Sequence, residues 1–246
     1  MIAAMKNCIA VISALQEEIE GLKDRLTEHT SQTMAGMEIH FGRLEGQPTA
    51  AVISGVGKVN AALCTQLVID CFAPCAVINP GAAGAIDPTI EVGDIVVSSA
   101  ACYHDFDTTA LGTPPGFIYG MQTSCFPADH SLQLLAAHHA RERVGENRTH
   151  VGLVVTGDQF IAEAAQRQRI FDTFGASCTE MEGAAIAHVC WKNRIPFVII
   201  RAVSDKADAK ATESFGAFLA RAIPDLDHIT EQTVVGWTDS KQVDRA

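Results

Sequence analysis

Short runs of β-branched and other apolar residues alternate along this sequence with longer segments in which apolar residues recur at helical spacing. This alternation is typical of a layered α/β domain, in which helices cover the faces of a sheet. We predict strands at 8–13, 38–44, 49–54, 75–79, 94–100, 151–156, 177–181 and 197–203. We predict helices at about 17–27, 58–72, 130–145, 163–174, 183–193 and 213–222, with a weaker one near 226–236.

Two patterns predict that the sheet is mixed. Residues 38–54 contain two strands with polar outer positions around EGQP, which is typical of a hairpin. Several later strands are nearly all apolar, as strands covered on both faces must be. We therefore predict an α/β fold, a three-layer domain with a central mixed β-sheet flanked by helices. A chain of this size can bury roughly 70–75% of its unfolded surface in one core, so we predict a single domain over 1–246, with a polar tail from about 238.

The charge balance excludes two classes of partner. Twenty-nine acidic and 18 basic residues give a net charge of −11, and no Lys or Arg occurs between Val59 and Ala140. Nucleic acids and anionic membranes attract positive charge, so the composition argues against both. The longest apolar runs, such as 8–15, are shorter than the ~20 residues of a membrane span, and nothing resembles a cleavable signal peptide. We expect a soluble, cytoplasmic protein.

The eight cysteines lie mostly among apolar residues and include no C-x-x-C pair, which favours buried, reduced thiols. Cys71 and Cys75 are separated by Pro74 and have no nearby His, so they do not form a zinc-binding pattern. We predict no metal site and no cofactor.

Three acids follow predicted strands: Glu18, Glu182 and Asp205. The carboxyl ends of strands in an α/β sheet form the crevice where ligands bind, so these side chains can converge. The structural alternative is that each acid interacts with a helix dipole or caps a helix. A glycine-rich turn, NPGAAGAI at 79–86, and Arg201 inside an apolar strand favour a site. The alternative role of Arg201 is a structural ion pair.

Other motifs give weaker signals. The glycines of SGVGKVN at 54–60 do not form a P-loop, because Val52 stands where the first glycine is needed and Val59 replaces the Ser or Thr. His104 and His188 are interpreted as packed or surface residues. The segment 104–128 has no periodicity, which favours a loop over a pocket or at a subunit contact, or simply a surface-packed loop.

Six segments together resemble the 5′-methylthioadenosine/S-adenosylhomocysteine nucleosidases. They are AVISALQEEIE, SGVGKVNAA, VGDIVVSSAACYHDFD, TGDQFI, TEMEGAAIAHVC and FVIIRAVSDKAD, and the resemblance covers about residues 9–220. It implies the nucleoside phosphorylase/hydrolase fold, a nucleoside substrate, and cleavage of the adenine–ribose bond by water. It also implies a homodimer, with the loop 104–128 near the interface.

The resemblance assigns different chemistry to the three acids. Asp205 would donate a proton to adenine N7, and Glu18 would orient and deprotonate the water. These must be different groups, because the base leaves from one face of the sugar while water attacks the other. Glu182 would hold the ribose 2′- and 3′-hydroxyls, whereas Glu180 is expected to be structural.

The resemblance also implies supporting residues. Met181 would lie under the ribose, Phe160 would stack on adenine, the Ile161 backbone would contact the base edge, Arg201 would help hold the water, Ser204 would position Asp205, Phe215 would border the 5′-substituent, and Ala82 and Gly84 would line the site. Ala82 departs from the Ser or Thr common in the family, so one hydrogen bond near the water or ribose is lost. The loop 108–128 also departs from the family pattern, which leaves the preferred 5′-substituent open.

Two other functions remain as alternatives. A purine nucleoside phosphorylase on the same fold would need arginines around phosphate, yet Ile78 and Asn79 occupy the position where phosphorylases usually carry one. A non-catalytic nucleoside-binding protein would keep the pocket and lose an acid, since fold alone does not establish activity.

Overall fold

The computed structural model of the protein describes residues 7–121, 123–207 and 222–237. Within these residues ten strands form one sheet: β1 (Ile9–Ser13), β2 (Thr27–Met34), β3 (Met37–Leu44), β4 (Gln47–Ile53), β5 (Ala76–Ala85), β6 (Ile95–Tyr103), β7 (Cys125–Pro127), β8 (Thr149–Thr156), β9 (Cys178–Glu180) and β10 (Phe197–Asp205). The helices are α1 (Glu20–Asp24), α2 (Lys58–Phe72), α3 (His130–Val144), α4 (Ala164–Phe174) and α5 (Gly183–Asn193), and residues 222–237 are also helical.

Five of the strands close into a ring. β5 pairs with β10, β10 with β6, β6 with β8, β8 with β9, and β9 again with β5. The sheet continues outward from β5 through β1, β4, β3 and β2, and β7 pairs with β6. Parallel and antiparallel pairings both occur, which confirms the prediction of a mixed sheet. Closure of the ring was not predicted, since it depends on pairings between strands far apart in sequence.

Helices cover both faces of the sheet, which confirms the layered arrangement. Side chains alternate across a strand, so Ala10 and Ile12 of β1 pack with α2 and α5, whereas Ile9 and Val11 pack with α1, α3 and the helical residues 222–237. Within the described residues, no helix combines the length and the apolar character needed to cross a bilayer.

The predicted hairpin at 38–54 is confirmed. β3 and β4 are antiparallel, with Leu44 opposite Gln47, and the two intervening residues are Glu45 (φ 47°) and Gly46 (φ 84°). Two consecutive residues with positive φ are typical of a tight hairpin turn whose twist matches the strands.

The structure corrects several boundaries. The segment 79–86 was predicted as a turn, but β5 continues through it to Ala85. The helix predicted at 17–27 is only five residues long, and the chain then enters β2, whose polar sequence TEHTSQTM gave no strand signal. β7 was also missed. The weak helix near 226–236 is confirmed within 222–237. The helix at 213–222, apart from its last residue, and the tail from 238 lie outside the described residues.

Candidate active site

A cavity of about 270 Å³ opens beside β5, β9 and β10. Nine of the residues predicted for the site line it: Glu18, Ala82, Gly84, Phe160, Ile161, Met181, Glu182, Ser204 and Asp205. Six further lining residues were not predicted from the sequence: Ala14, Leu15, Val56, Ala83, Thr179 and Gln159. Arg201 is buried close by and is not among the lining residues, and Phe215 lies outside the described part of the chain.

Strand β5 positions two of the acids. The backbone N–H of Ala82 donates to Glu18 Oε1 (3.1 Å), and two residues further along, a Cβ at Gly84 would lie 2.9 Å from Asp205 Oδ1. Gly84 therefore lets Asp205 of the neighbouring β10 approach the strand closely.

Glu182 reaches the cavity by a different route from the one predicted. β9 runs antiparallel to β5, with Thr179 opposite Gly84, so its carboxyl end does not join the ends of the parallel strands. Instead, β9 pairs with the last residues of β5, and Glu182 follows the end of β9 by two residues. The three acids share one cavity, although the strands that precede them do not all end at the same edge of the sheet.

Glu18 is held by three backbone donors. In addition to Ala82, the N–H groups of Ala14 and Leu15 donate to Oε2, each at 3.1 Å, so the loop after β1 folds around its own carboxylate. Burial raises the pKa of Glu18, against the opposing effects of the Arg201 charge and these hydrogen bonds. The result is a fixed carboxylate that is more basic than one in water.

Glu182 has fewer donors. The backbone N–H of Gly57, at the start of α2, donates to Oε1 at 2.7 Å. Gly57 has φ of 98°, a conformation that side-chain-bearing residues rarely adopt, so a glycine of SGVGKVN serves here to present an N–H to Glu182. Burial, and then the nearby charge of Glu180, raise the pKa of Glu182 to about 7.

Asp205 ends β10 and contacts a hydroxyl and an amide. The Ser204 hydroxyl lies 2.7 Å from Asp205 Oδ2 and 3.2 Å from the carbonyl oxygen of Ala83, and the N–H of Ala207 donates to Oδ1 at 2.7 Å. Because Ser204 can donate to Ala83 instead, its oxygen is able to accept a hydrogen bond from Asp205 when that carboxyl carries a proton.

Arg201 forms a buried ion pair with Glu180. Its Nη2 lies 2.5 Å from Glu180 Oε2 and 2.6 Å from Asn79 Oδ1. Arg201 therefore forms the structural ion pair that was predicted from the sequence as its alternative role. Its Nη1 lies against Gly81, where an added Cβ would be 1.7 Å from Nη1 and 3.1 Å from Glu18 Oε1. The guanidinium therefore reaches the same small space as the Glu18 carboxylate, and only glycine at 81 permits it.

The charge of the cavity is negative. The described lining residues include four acids, Glu18, Glu180, Glu182 and Asp205, and neither Lys nor Arg. His188 does not line it; its ring stacks on Phe126 (centroids 4.7 Å apart) and contacts the Tyr103 hydroxyl.

Comparison with known proteins agrees with this geometry. Residues 8–234 match the family model described as the phosphorylase superfamily. A 5′-methylthioadenosine/S-adenosylhomocysteine nucleosidase of Staphylococcus carnosus is 39% identical over 215 residues, covering 87% of this chain and 93% of the relative. The chain belongs to this nucleosidase family of the phosphorylase superfamily.

Solved structures of the nucleosidase family share the fold. The enzyme from Neisseria meningitidis, in complex with methylthio-immucillin-A, superposes with a TM-score of 0.89 at 36% identity, covering 93% of this chain and 98% of the other. A futalosine hydrolase of Helicobacter pylori superposes with a TM-score of 0.88 at 29% identity, covering 94% and 98%.

Proposed function

We propose that this protein hydrolyses the N-glycosidic bond of 5′-methylthioadenosine and S-adenosylhomocysteine, releasing adenine and the 5′-thio-substituted ribose. The observation that carries the proposal is the meeting of Glu18, Glu182 and Asp205 in one cavity of small-molecule size. The relatives named for this activity support the choice of substrate.

The spacing of two acids suits displacement by water. Glu18 is anchored to β5 at Ala82 and Asp205 approaches it at Gly84, so their anchor points are two residues, or roughly 7 Å, apart along the strand. Attack by water requires two different groups, a general acid and a general base, with the sugar and the water between them. Asp205 then acts at the adenine and Glu18 acts at the sugar.

Asp205 acts as the general acid. Cleavage leaves negative charge on adenine, and a proton delivered to N7 neutralises it as the bond breaks. The Ser204 hydroxyl can accept from protonated Asp205 and donate to Ala83, which would stabilise the neutral acid before transfer.

Glu18 activates the water. Its three backbone hydrogen bonds fix its orientation, and the burial that raises its pKa makes it a better proton acceptor than an ordinary carboxylate. A water between Glu18 Oε1 and Arg201 Nη1, above Gly81, would be oriented by both. Ala82 offers no hydroxyl there, so this chain relies on those two side chains.

Glu182 and the apolar residues bind the nucleoside. The carboxylate of Glu182 accepts hydrogen bonds from the ribose hydroxyls, which strengthen as positive charge develops on the sugar. Met181 supports the ribose, and Phe160, 48% exposed in the free protein, stacks on adenine. The buried Ile161 contributes its backbone to the base edge. No metal or cofactor takes part in this mechanism.

Phosphorolysis is disfavoured by the charge of the cavity. A phosphate dianion placed beside four carboxylates, with no Lys or Arg in the described lining, would be repelled. We expect adenine release from methylthioadenosine to proceed at the same rate with and without phosphate. Dependence on phosphate would favour the phosphorylase alternative, and tight binding without adenine release would favour the binding-protein alternative.

Two substitutions test the catalytic roles. Asp205→Asn and Glu18→Gln should each lower kcat for adenine release by about 10²- to 10⁴-fold, since each removes a proton-transfer group. Glu20→Gln is the matched control, because Glu20 is an exposed acid nearby that contacts only Gln16 among the described side chains. Each variant should keep the wild-type circular dichroism spectrum. A folded Asp205→Asn protein with the wild-type rate would refute the assignment.

Assembly, location and the 5′-substituent complete the proposal. We propose a cytoplasmic homodimer with the segment 104–128 near its interface, supported by exposed apolar side chains at Leu111, Tyr119 and Val59. Light scattering measures the mass directly.

Substrate preference is measured as kcat/KM for methylthioadenosine, S-adenosylhomocysteine, 5′-deoxyadenosine and aminodeoxyfutalosine. The last is included because a futalosine hydrolase shares the fold.

A further inference from the structure

Two cysteines that are distant in sequence lie side by side at the end of the sheet. Cys102 is in β6 and Cys125 begins β7, and the two strands are antiparallel with these residues directly opposite. Side chains of opposite residues in an antiparallel pair lie on the same face. Both are free thiols.

The pair is asymmetric. Cys102 is 1% exposed, whereas Cys125 is the one exposed cysteine of the eight. The hydrogen bond from Cys102 stabilises a thiolate on Cys125 and lowers its pKa to about 7, while the same bond, with burial, raises the pKa of Cys102. An exposed sulfur with a pKa of about 7 is about half ionised at pH 7, which makes it a reactive nucleophile.

We propose that Cys125 and Cys102 form a peroxide-reactive site, in which Cys125 is oxidised and Cys102 resolves the product as an intramolecular disulfide. Opposite residues of antiparallel strands have Cα atoms roughly 4.5–5.5 Å apart, within the range that a disulfide spans. The Cα separation set by the native strand pairing is therefore compatible with the bond.

The reaction balances in two steps. The Cys125 thiolate attacks one oxygen of a hydroperoxide, the O–O bond breaks, and the departing oxyanion takes a proton from water and leaves as an alcohol, or as water when the oxidant is hydrogen peroxide. The Cys102 sulfur then attacks the sulfenic acid on Cys125, the S–O bond breaks, and the hydroxide takes the Cys102 proton and leaves as water. Two thiols lose two electrons, and the peroxide gains them.

Four of the other cysteines lack this combination. Burial raises the pKa of the Cys64, Cys178 and Cys190 thiols, which disfavours their thiolates. Cys71 is partly buried in α2 and has no cysteine opposite it on a paired strand. It therefore serves as a matched control. Neither Cys102 nor Cys125 lines the active-site cavity, so the inference stands apart from the proposed hydrolysis.

The test is treatment of the full-length protein with hydrogen peroxide, followed by peptide mass mapping. The wild type and Cys71→Ser should lose two hydrogen atoms at a Cys102–Cys125 disulfide, which dithiothreitol restores. Cys125→Ser should form no disulfide at Cys102. Cys102→Ser should accumulate a sulfenic acid on Cys125 that dimedone traps. In Cys102→Ala, which offers no donor to Cys125, alkylation of Cys125 by iodoacetamide near pH 7 should slow by roughly 5- to 10-fold, since the thiolate loses the hydrogen bond that stabilises it.

Two results would overturn the inference. One is oxidation of wild-type Cys125 to sulfinic or sulfonic acid without a disulfide to Cys102. The other is an alkylation rate of Cys125 that is the same in the wild type and in folded Cys102→Ala. Either variant at position 102 can carry the dimedone test, and circular dichroism checks the fold of each.

Discussion

The two buried carboxylates on either side of Met181 in the sequence, Glu180 and Glu182, belong to different regions and differ in how fully their oxygen atoms are bonded. Glu180 belongs to an ion-pair network with Asn79, Thr156 and Arg201. Glu182 contacts Gly57 at the start of α2. Glu180 accepts hydrogen bonds from the Thr156 hydroxyl, the Arg201 guanidinium and two backbone N–H groups. Among the described residues, the Glu182 carboxylate accepts one, from Gly57.

The difference separates a structural carboxylate from a binding one. A buried carboxylate whose oxygens are all hydrogen-bonded has no acceptor position left for a ligand. Removing it leaves its buried partners without a hydrogen bond or counter-charge. A buried carboxylate with free acceptor positions costs free energy in the empty protein, and a ligand with hydroxyl groups recovers that cost. Glu180 and Glu182, two residues apart in sequence, thus have opposite relations to stability and to function.

The largest expected effect is on stability, from Glu180→Gln. The substitution leaves Arg201, 2% exposed, without its charged partner, which typically costs about 3–5 kcal/mol in the free energy of unfolding. Urea unfolding of the wild type and the variant measures the loss. The double variant Glu180→Gln/Arg201→Met should recover much of it, because neither member of this ion pair is then left without its partner. A Glu180→Gln variant as stable as the wild type would contradict the structural role of Glu180.

Glu182→Gln should have the opposite effect. Its pKa in the folded protein is raised to about 7 from an ordinary value near 4.5, so the folded state holds the proton more tightly. The free energy of unfolding therefore falls as pH rises from about 4.5 to 7, and the cost remains above pH 7. At about pH 8 the variant should be more stable than the wild type, on the order of 2 kcal/mol.

The same variant should lose activity. Glutamine keeps the acceptor for Gly57 but removes the negative charge offered to the ribose, and hydrogen bonds to charged groups contribute about 1.5–3 kcal/mol. We expect kcat/KM for methylthioadenosine to fall by roughly 10- to 100-fold. Unfolding and adenine-release assays on one preparation measure both effects. A variant that is less stable and equally active would contradict the role of Glu182.

The fold was predictable where local sequence determines structure. Continuous apolar runs located β1 and β10, and the turn residues Glu45 and Gly46 located the hairpin. β2 could not be found, since an exposed strand without apolar alternation gives no period-2 signal. The ring could not be found either, because pairing of β5 with β9 and β10 depends on contacts about 100 residues apart.

The candidate site was predictable mainly through its charges. Acids after predicted strands indicated Glu18, Glu182 and Asp205, and the glycine-rich segment, Arg201 and the family resemblance favoured a site over helix capping. The donor from Gly57 was missed, since a backbone contact carries no residue-type signal. The glycines at 81 and 84 were interpreted as a turn. In the structure they remain in β5 and make room for Arg201 and Asp205, a packing requirement visible only in three dimensions.

Ligand affinity should depend on pH through Glu182. The ionised carboxylate is the better acceptor for ribose hydroxyls, so the Kd for methylthioadenosine should increase as pH falls below about 7, by up to about tenfold per unit. The Asp205→Asn background permits equilibrium measurement by calorimetry without turnover. The Asp205→Asn/Glu182→Gln double variant should bind more weakly and without this dependence. An identical pH profile in both proteins would assign the dependence to another group.

The smallest effect is expected at Asp227, in the helical residues 222–237, an acid that is 5% exposed and does not line the cavity. Burial raises its pKa to about 6, while the charge of Arg25, whose Nη2 lies 4.0 Å away, opposes the shift. The folded state again binds the proton more tightly, so the free energy of unfolding falls as pH rises from about 4 to 6.

Asp227→Asn should therefore stabilise the protein by about 1 kcal/mol at about pH 8 and by nothing near pH 4, where the wild-type carboxyl is already protonated. Because the side chain faces Arg25 and not the cavity, adenine release should not change. The comparison with Glu182 tests which property of a buried acid affects activity. Both acids are buried with raised pKa values, but only the one with free acceptor positions facing a ligand-sized space should alter kcat/KM. An activity loss in folded Asp227→Asn would show that burial of charge alone does not distinguish the two regions.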